Sequence, residues 1–144
     1  MKMDKIYVVY WSQTGNTESM ANAIAAGIKE AGKEAAVVTP SEISADELNN
    51  ASVYALGSPA MGAEVIEEEE MEPLVSAIEA NAGGKKIALF GSYGWGDGEW
   101  MRSWVERMTA AGATVIGGED AICQDAPDSD MEAKLAALGK ELAS

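Results

Sequence analysis

The chain has 144 residues, 24 of them acidic and 10 basic, which gives a formal net charge of −14. This length suits one domain with a single core, and the charge would repel a nucleic-acid backbone or an anionic membrane surface. The sequence has no histidine and one cysteine, Cys123, which excludes imidazole-based triads, Cys/His zinc sites and internal disulfides. We therefore expect a single domain over residues 1–144 that holds no metal.

The first residues do not resemble a secretion signal. Charged Lys2, Asp4 and Lys5 precede an apolar stretch that covers only residues 6–11, and no cleavage site follows it. No apolar run approaches the roughly 20 residues that a membrane span requires. With 47% hydrophobic residues, the chain is also too apolar for a disordered acidic tail. We therefore expect a soluble, cytoplasmic, globular protein.

Short continuous apolar runs predict five strands that are buried on both faces of a sheet. The runs cover residues 6–11, 35–38, 53–56, 87–90 and 113–116. Between them, apolar residues recur at helical spacing and predict four amphipathic helices. These stripes are Met20, Ile24, Ile28 and Ala31; Met71, Leu74, Val75 and Ile78; Met101, Trp104, Val105 and Met108; and Met131, Leu135, Leu138 and Leu142.

The ends and connections of these elements support an α/β fold. Gly32 and Gly112 follow the first and third stripes, where a left-handed helix end is easiest for glycine. Residues 44–50, between the second and third strands, are long enough only for a weak helix. The alternation of strands and helices implies right-handed crossovers and a parallel sheet with helices on both faces.

The acidic run at residues 67–70 lies where the second amphipathic helix begins. We interpret it as a set of first-turn carboxylates that complement the helix dipole. A docking patch for a partner is the alternative.

Ligands of open parallel sheets bind beyond the carboxyl ends of the strands, so the loops there are candidate sites. Residues 12–17, after the first strand, read Ser-Gln-Thr-Gly-Asn-Thr and contain neither lysine nor arginine. Their hydroxyl and amide groups, with the free N–H groups of a helix start, suit a phosphate. They do not match a Walker loop or a dinucleotide fingerprint. An ordinary capped helix start is the alternative.

Two further loops follow the third and fourth strands. Residues 57–64 place Met61 on a turn, where its thioether could cover an aromatic ligand or instead fill the core. Residues 91–98 alternate the aromatic Tyr93 and Trp95 with glycines, an arrangement that favours stacking on a planar ring. Trp100 and Trp104, four residues apart on the following helix, are interpreted as core or as cover.

Together these three loops closely resemble those of the flavodoxin family, and the chain length is similar to its short-chain branch. The likeness covers the whole chain and is carried by residues 9–12, 59–62 and 90–96. It implies an α/β, three-layer, doubly wound fold with a five-stranded parallel sheet of order 2-1-3-4-5. It also implies noncovalently bound FMN and a low-potential one-electron carrier rather than an enzyme. Such a carrier cycles mainly between semiquinone and hydroquinone.

The resemblance assigns roles to individual positions. The FMN phosphate would be held by the side chains of Ser12, Thr14, Asn16 and Thr17 and by the backbone N–H groups of Gln13 and Gly15. The ring would lie between Met61 and Trp95, with Glu64 accepting from flavin N3–H and the backbone near Trp95 and Gly96 serving the pyrimidine oxygen. The other implied contacts are Pro59, Ala60, Gly62, Ala63, Ser92, Tyr93, Gly94, Gln124 and Asp125.

The charge adds expectations about partners. A net charge of −14 disfavours a further negative charge on the flavin, so the fully reduced state should be a strong reductant. The same field would steer the protein to basic docking patches on redox enzymes. We expect a monomer, because a carrier needs its flavin edge exposed.

The sequence can be compared with the requirements of three other functions. A phosphorelay receiver needs an acidic pair after the first strand, where Trp11 and Ser12 stand, and an aspartate after the third, where Ser58 and Pro59 stand. A quinone reductase of the same fold is disfavoured, because the chain lacks a histidine for proton transfer and insertions for a substrate pocket. A flavin-free module remains open, and failure to bind FMN would favour it.

Overall fold

A parallel sheet forms the middle layer of the computed structural model, which describes residues 5–13, 15–61, 65–94, 96 and 98–144. Its main strands follow the order β2-β1-β3-β4-β5, and a sixth strand pairs with β4. The strands are β1 (Lys5–Tyr10), β2 (Glu34–Val38), β3 (Val53–Gly57), β4 (Lys86–Tyr93), β5 (Thr114–Ile116) and β6 (Ile122–Gln124). The predicted strand order is confirmed.

The fifth position of the sheet holds two short strands in succession. β5 pairs with the first half of β4, and β6 pairs with the second half, where Gly91 lies opposite Ile122. Between β5 and β6, Gly117 and Gly118 adopt positive φ angles of 78° and 54° in a turn that joins the two strands. The sequence predicted only β5, because the apolar run at β6, residues 121–123, is shorter than the four-residue run at β5.

The predicted stripes all form helices. The helices are α1 (Asn16–Glu30), α2 (Ala45–Asn49), α3 (Met71–Glu79), α4 (Glu99–Ala110) and α5 (Ser129–Leu142), with a 3-10 turn at Pro40–Glu42. Gly32 and Gly112 have φ angles of 88° and 96°, as their predicted place at helix ends requires. Within the described ranges, no helix is long and apolar enough to cross a membrane.

Two hydrophobic cores lie on opposite faces of the sheet. Val8 packs with the apolar faces of α1 and α5, whereas its neighbour Val9 packs with those of α2, α3 and α4. This alternation establishes the three-layer, doubly wound arrangement. The expectation that every strand is buried on both faces is wrong at β2 and β5, which lie at the sheet edges and are only half-buried.

The acidic run precedes α3 instead of forming its first turn. Glu67 is 4% exposed. Its carboxylate accepts hydrogen bonds from the N–H groups of Glu69 (2.8 Å), Glu70 (2.7 Å) and Met71 (2.8 Å). The prediction that a carboxylate complements the dipole of α3 therefore holds for Glu67. This one buried residue fills the role that was predicted for the whole acidic run.

Replacing Glu67 by alanine should lower the free energy of unfolding by about 2 kcal/mol, because three N–H groups lose their acceptor. Glu67→Gln should cost less, since one oxygen still accepts. Glu68→Ala, at an exposed position of the same run, is the control and should change little. Urea denaturation of the three variants measures these effects, and equal stabilities would contradict the capping role.

Arg107 joins α4 to α3. Its guanidinium donates to both carboxylate oxygens of Glu72 (2.8 and 2.7 Å) and to Glu79 (3.0 Å). The hydrogen bonds from Arg107 lower the pKa of Glu72, partial burial opposes this, and the hydroxyl of Ser76 adds to the lowering. The side chains of the pair are 27% and 37% exposed, so we expect a contribution of about 1 kcal/mol to stability.

The stability gained from this pair should depend on pH. The folded-state pKa of Glu72 lies below its unfolded value of about 4.3, so the contribution is complete above that pH and disappears as the pH falls through the folded pKa. The difference in unfolding free energy between the wild type and Arg107→Gln should therefore shrink on acidification from pH ~6 to pH ~3. Urea denaturation across this range tests it, and a constant difference would contradict it.

Candidate functional site

A cleft of about 230 Å³ opens where β1, β3 and β4 end. The chain leaves β1 for the edge strand β2 and returns to β3 on the other side of β1, so the cleft lies at the switch point of the sheet, where α/β proteins bind ligands. Its walls come from three loops and from the residue after β6. The lining residues are Ser12, Gln13, Asn16, Thr17, Pro59, Ala60, Met61, Ser92, Tyr93, Gly94 and Asp125.

The first loop brings the start of α1 to the cleft. The Gly15 N–H donates to Ser12 Oγ (3.0 Å), and the first backbone bond of the helix runs from the Ser19 N–H to the Gly15 carbonyl (3.0 Å). No side chain caps α1 within the described residues. The N–H groups of its first turn, together with the buried Thr17, therefore form a polar end of the cleft that suits an anion.

Ser58, fully buried after β3, anchors the base of the second loop. Its N–H donates to the Phe90 carbonyl (3.1 Å), and its carbonyl accepts from Trp100 Nε1 (3.1 Å). Its hydroxyl oxygen accepts from the Glu67 N–H (2.9 Å) and donates to the Pro59 carbonyl (2.9 Å). The loop is thus tied to β4, α4 and the start of α3. Neither Ser58 nor Glu67 was predicted as a support of the site, because only the folded loop brings the two residues together.

The second loop continues along β4 and then turns. The Ala60 N–H donates to the Ser92 carbonyl (3.1 Å). Met61 and Val65 exchange two backbone hydrogen bonds (2.8 and 3.0 Å) as an antiparallel bridge. The bonds to Ser92 and Val65 therefore hold Met61 at the cleft through the backbone.

The third wall depends on Asp125. Its N–H donates to the Tyr93 carbonyl (2.8 Å), and its carbonyl accepts from the Ser92 hydroxyl (2.6 Å). Asp125 has a φ of 60°, the left-handed conformation that a residue with a side chain seldom adopts. Gln124 Nε2 also donates to the Gly94 carbonyl (3.5 Å). These bonds fix the end of β4 and Gly94 against β6 and Asp125.

The charges around the cleft are negative. Among the described lining residues Asp125 carries the one formal charge, and there is no lysine or arginine. A neighbouring cavity of about 380 Å³ contains the carboxylates of Glu18 and Glu70. Glu18 accepts from the Tyr10 hydroxyl (2.9 Å), and partial burial followed by this bond raises the pKa of Tyr10. Neutral donors alone therefore supply the positive potential at the polar end.

The structure brings together residues from all of the predicted loops. Every lining residue of the cleft is one of the predicted site residues, and Gly15 and Gln124 bond to lining residues. Gly96 is described, and within the described part of the chain no hydrogen bond links it to the cleft. The other predicted positions, which lie outside the described residues, are Thr14, Gly62, Ala63, Glu64 and Trp95. What each residue binds remains a prediction.

Comparison with known proteins identifies the family. A family model described as Flavodoxin matches residues 8–138. The flavodoxin of Clostridium beijerinckii is 48% identical over 137 residues, which cover 95% of this chain and 98% of that protein. The flavodoxin of Megasphaera elsdenii is 46% identical over 129 residues, which cover 90% and 93%. The solution structure of two-electron reduced Megasphaera elsdenii flavodoxin superposes with a TM-score of 0.87 at 44% identity, covering 96% and 98% of the two chains.

Proposed function

This chain belongs to the flavodoxin family, and we propose that the flavin implied by that membership is FMN, bound noncovalently in the cleft at the ends of β1, β3 and β4. Like its named relatives, the protein is an electron carrier rather than an enzyme, and it transfers electrons to redox partners. The observation that supports FMN most directly is the start of α1 at the cleft, which no side chain of the described residues caps and which no described lysine or arginine lines.

The polar end of the cleft fits a phosphate. Ser12 Oγ already accepts from the Gly15 N–H, so its own proton is available for a phosphate oxygen. Asn16 and Thr17 place an amide and a hydroxyl at the same end, beside the first-turn N–H groups of α1. Neutral donors and a helix N-terminus stabilise a phosphate without a formal positive charge.

The other end of the cleft fits a planar ring. Pro59, Ala60 and Met61 line it from the loop after β3, and Tyr93 and Gly94 line it from the end of β4. The polarizable thioether of Met61 favours contact with an aromatic ring. The backbone bonds of Met61 and of the Tyr93–Asp125 pair fix both segments, so the site is largely formed in advance.

FMN would supply one-electron chemistry, and we propose that the protein cycles mainly between the semiquinone and the hydroquinone at low potential. The net charge of −14 and the nearby Asp125, Glu18 and Glu70 supply the physical reason, since each opposes added negative charge at the cleft. The same field favours redox enzymes with basic docking patches and a monomeric carrier.

A titration of the flavin-free protein with FMN tests the location of the site. Ala60→Trp would fill the ring end of the cleft, whereas Ala26→Trp places the same side chain on the exposed face of α1. We expect one FMN per chain for the wild type and for Ala26→Trp, and loss of binding for Ala60→Trp. Equal FMN binding by both variants would place the cofactor elsewhere.

A further inference from the structure

Trp100, near the start of α4, contacts the loop after β3 and the end of β4, the two segments that form the ring end of the cleft. Its Nε1 donates to the Ser58 carbonyl (3.1 Å), at the base of the loop after β3. Its ring packs on that of Tyr93, with the ring centroids 5.5 Å apart and the planes at 54°. Trp100 and Ser58 are 1% and 0% exposed. One buried side chain therefore joins the two segments.

The backbone of β4 leaves space for this contact at Gly91. A Cβ at Gly91 would overlap the Ser58 carbonyl oxygen and would lie 3.1 Å from Trp100 Cζ2. Any other residue at this position would therefore push the Ser58 carbonyl away from the indole N–H. Glycine allows the strand, the carbonyl and the indole to approach one another closely.

The loop after β3 carries Met61 and is closed by Ser58, whose hydroxyl oxygen accepts from the Glu67 N–H (2.9 Å). Met61 lines the cleft, so the position of this closure determines where the loop meets a ligand. The bond from Trp100 ties the closure to α4, whose buried face packs in the core. Trp100 therefore fixes the position of the loop relative to Tyr93.

We propose that Trp100 is a positioning residue for the flavin ring, because it holds the ring end of the cleft in its binding position before FMN binds. This inference rests on the proposed function. When the bond to Ser58 is lost, the binding position is occupied in only a fraction of the flavin-free molecules, and the affinity falls by that fraction. A purely structural role would lower the free energy of unfolding and leave the affinity of the folded protein unchanged.

Trp100→Phe removes the indole N–H and keeps an aromatic ring beside Tyr93. Trp104→Phe is the matched control, because Trp104 is 2% exposed on the same helix and its Nε1 has no partner in the described part of the chain. Each flavin-free protein is titrated with FMN and with riboflavin, which lacks the phosphate. We expect Trp100→Phe to bind both flavins about fivefold more weakly, the equivalent of one hydrogen bond, and Trp104→Phe to bind both as the wild type does.

The pattern of the affinities decides the proposal. Unchanged affinities in Trp100→Phe, or equal losses in the two variants, would overturn it. A loss confined to FMN would also overturn it, because the effect would then lie at the phosphate end of the cleft. A wild type that binds no FMN would instead contradict the proposed function.

Hydrogen exchange of the flavin-free chain, followed by NMR, tests the positioning without a flavin. The backbone N–H groups of Ala60 and Met61, which are bonded in the structure, should exchange faster in Trp100→Phe than in the wild type or in Trp104→Phe. The unmodified chain covers the case in which Trp100→Phe does not fold, since its Trp100 indole N–H should exchange slowly. Exchange of that N–H as fast as in an exposed indole would overturn the proposal.

Discussion

FMN should bind this protein about a thousandfold more tightly than riboflavin, which lacks the phosphate. The difference corresponds to about 4 kcal/mol and reflects two or three charge-assisted hydrogen bonds at the start of α1, since each contributes roughly 1.5–3 kcal/mol. Thr17→Val removes one buried hydroxyl at nearly constant volume. We expect this variant to bind FMN about 30-fold more weakly and riboflavin with unchanged affinity.

Ser19→Ala provides the control for Thr17→Val. It also removes a hydroxyl from the first turns of α1, but the Ser19 hydroxyl donates to the Gly15 carbonyl (3.1 Å) and does not line the cleft. Fluorescence titrations of the flavin-free wild type, Thr17→Val and Ser19→Ala with FMN and with riboflavin give the six affinities to be compared. Equal losses of FMN and riboflavin binding in Thr17→Val would show that the hydroxyl does not contact the phosphate.

Gly27→Ala should lower the free energy of unfolding by about 3 kcal/mol, although alanine is the better helix former. A Cβ at Gly27 would overlap the carbonyl group of Ala136 in α5, and one at Gly139 would overlap the carbonyl group of Ile24 in α1. The two helices therefore approach each other backbone to backbone, and no flexible side chain can move aside to relieve the overlap.

Ala26→Gly, the reverse substitution at the neighbouring position, is the matched control for Gly27→Ala. Ala26 is exposed on α1, so Ala26→Gly should cost only the difference in helix propensity, about 1 kcal/mol. Urea denaturation of the two variants compares them. If Gly27→Ala were as stable as the wild type, the close approach of α1 and α5 would be wrong.

The main features of the fold could be predicted from the sequence because they depend on periodicity. Continuous apolar runs and helical stripes alternate along the chain, and this alternation favours a parallel α/β sheet. β6 could not be predicted, because its apolar run of three residues, 121–123, is shorter than the runs that indicate the other strands. The half-burial of β2 follows from its place at the sheet edge, which the run at residues 35–38 does not encode.

The site was predictable only in part. The loop at residues 12–17 carries its own chemical signal, whereas Asp125 came from the resemblance alone. Ser58 and Glu67, which support the second loop, could not be predicted. The hydrogen bond between them joins residues nine positions apart in the chain, which only the folded structure brings together. Trp104, which was predicted to be core or cover, lies in the core and is 2% exposed.

Stepwise anaerobic reduction of the FMN-loaded protein at near-neutral pH, followed by its visible spectrum, tests the central claim most directly. We expect the bound FMN to be reduced in two separate one-electron steps, with a long-lived blue neutral radical after the first. A flavin that passes straight to the two-electron state would contradict one-electron transfer and would favour a quinone reductase. A protein that binds no FMN would contradict the assignment of the cleft itself.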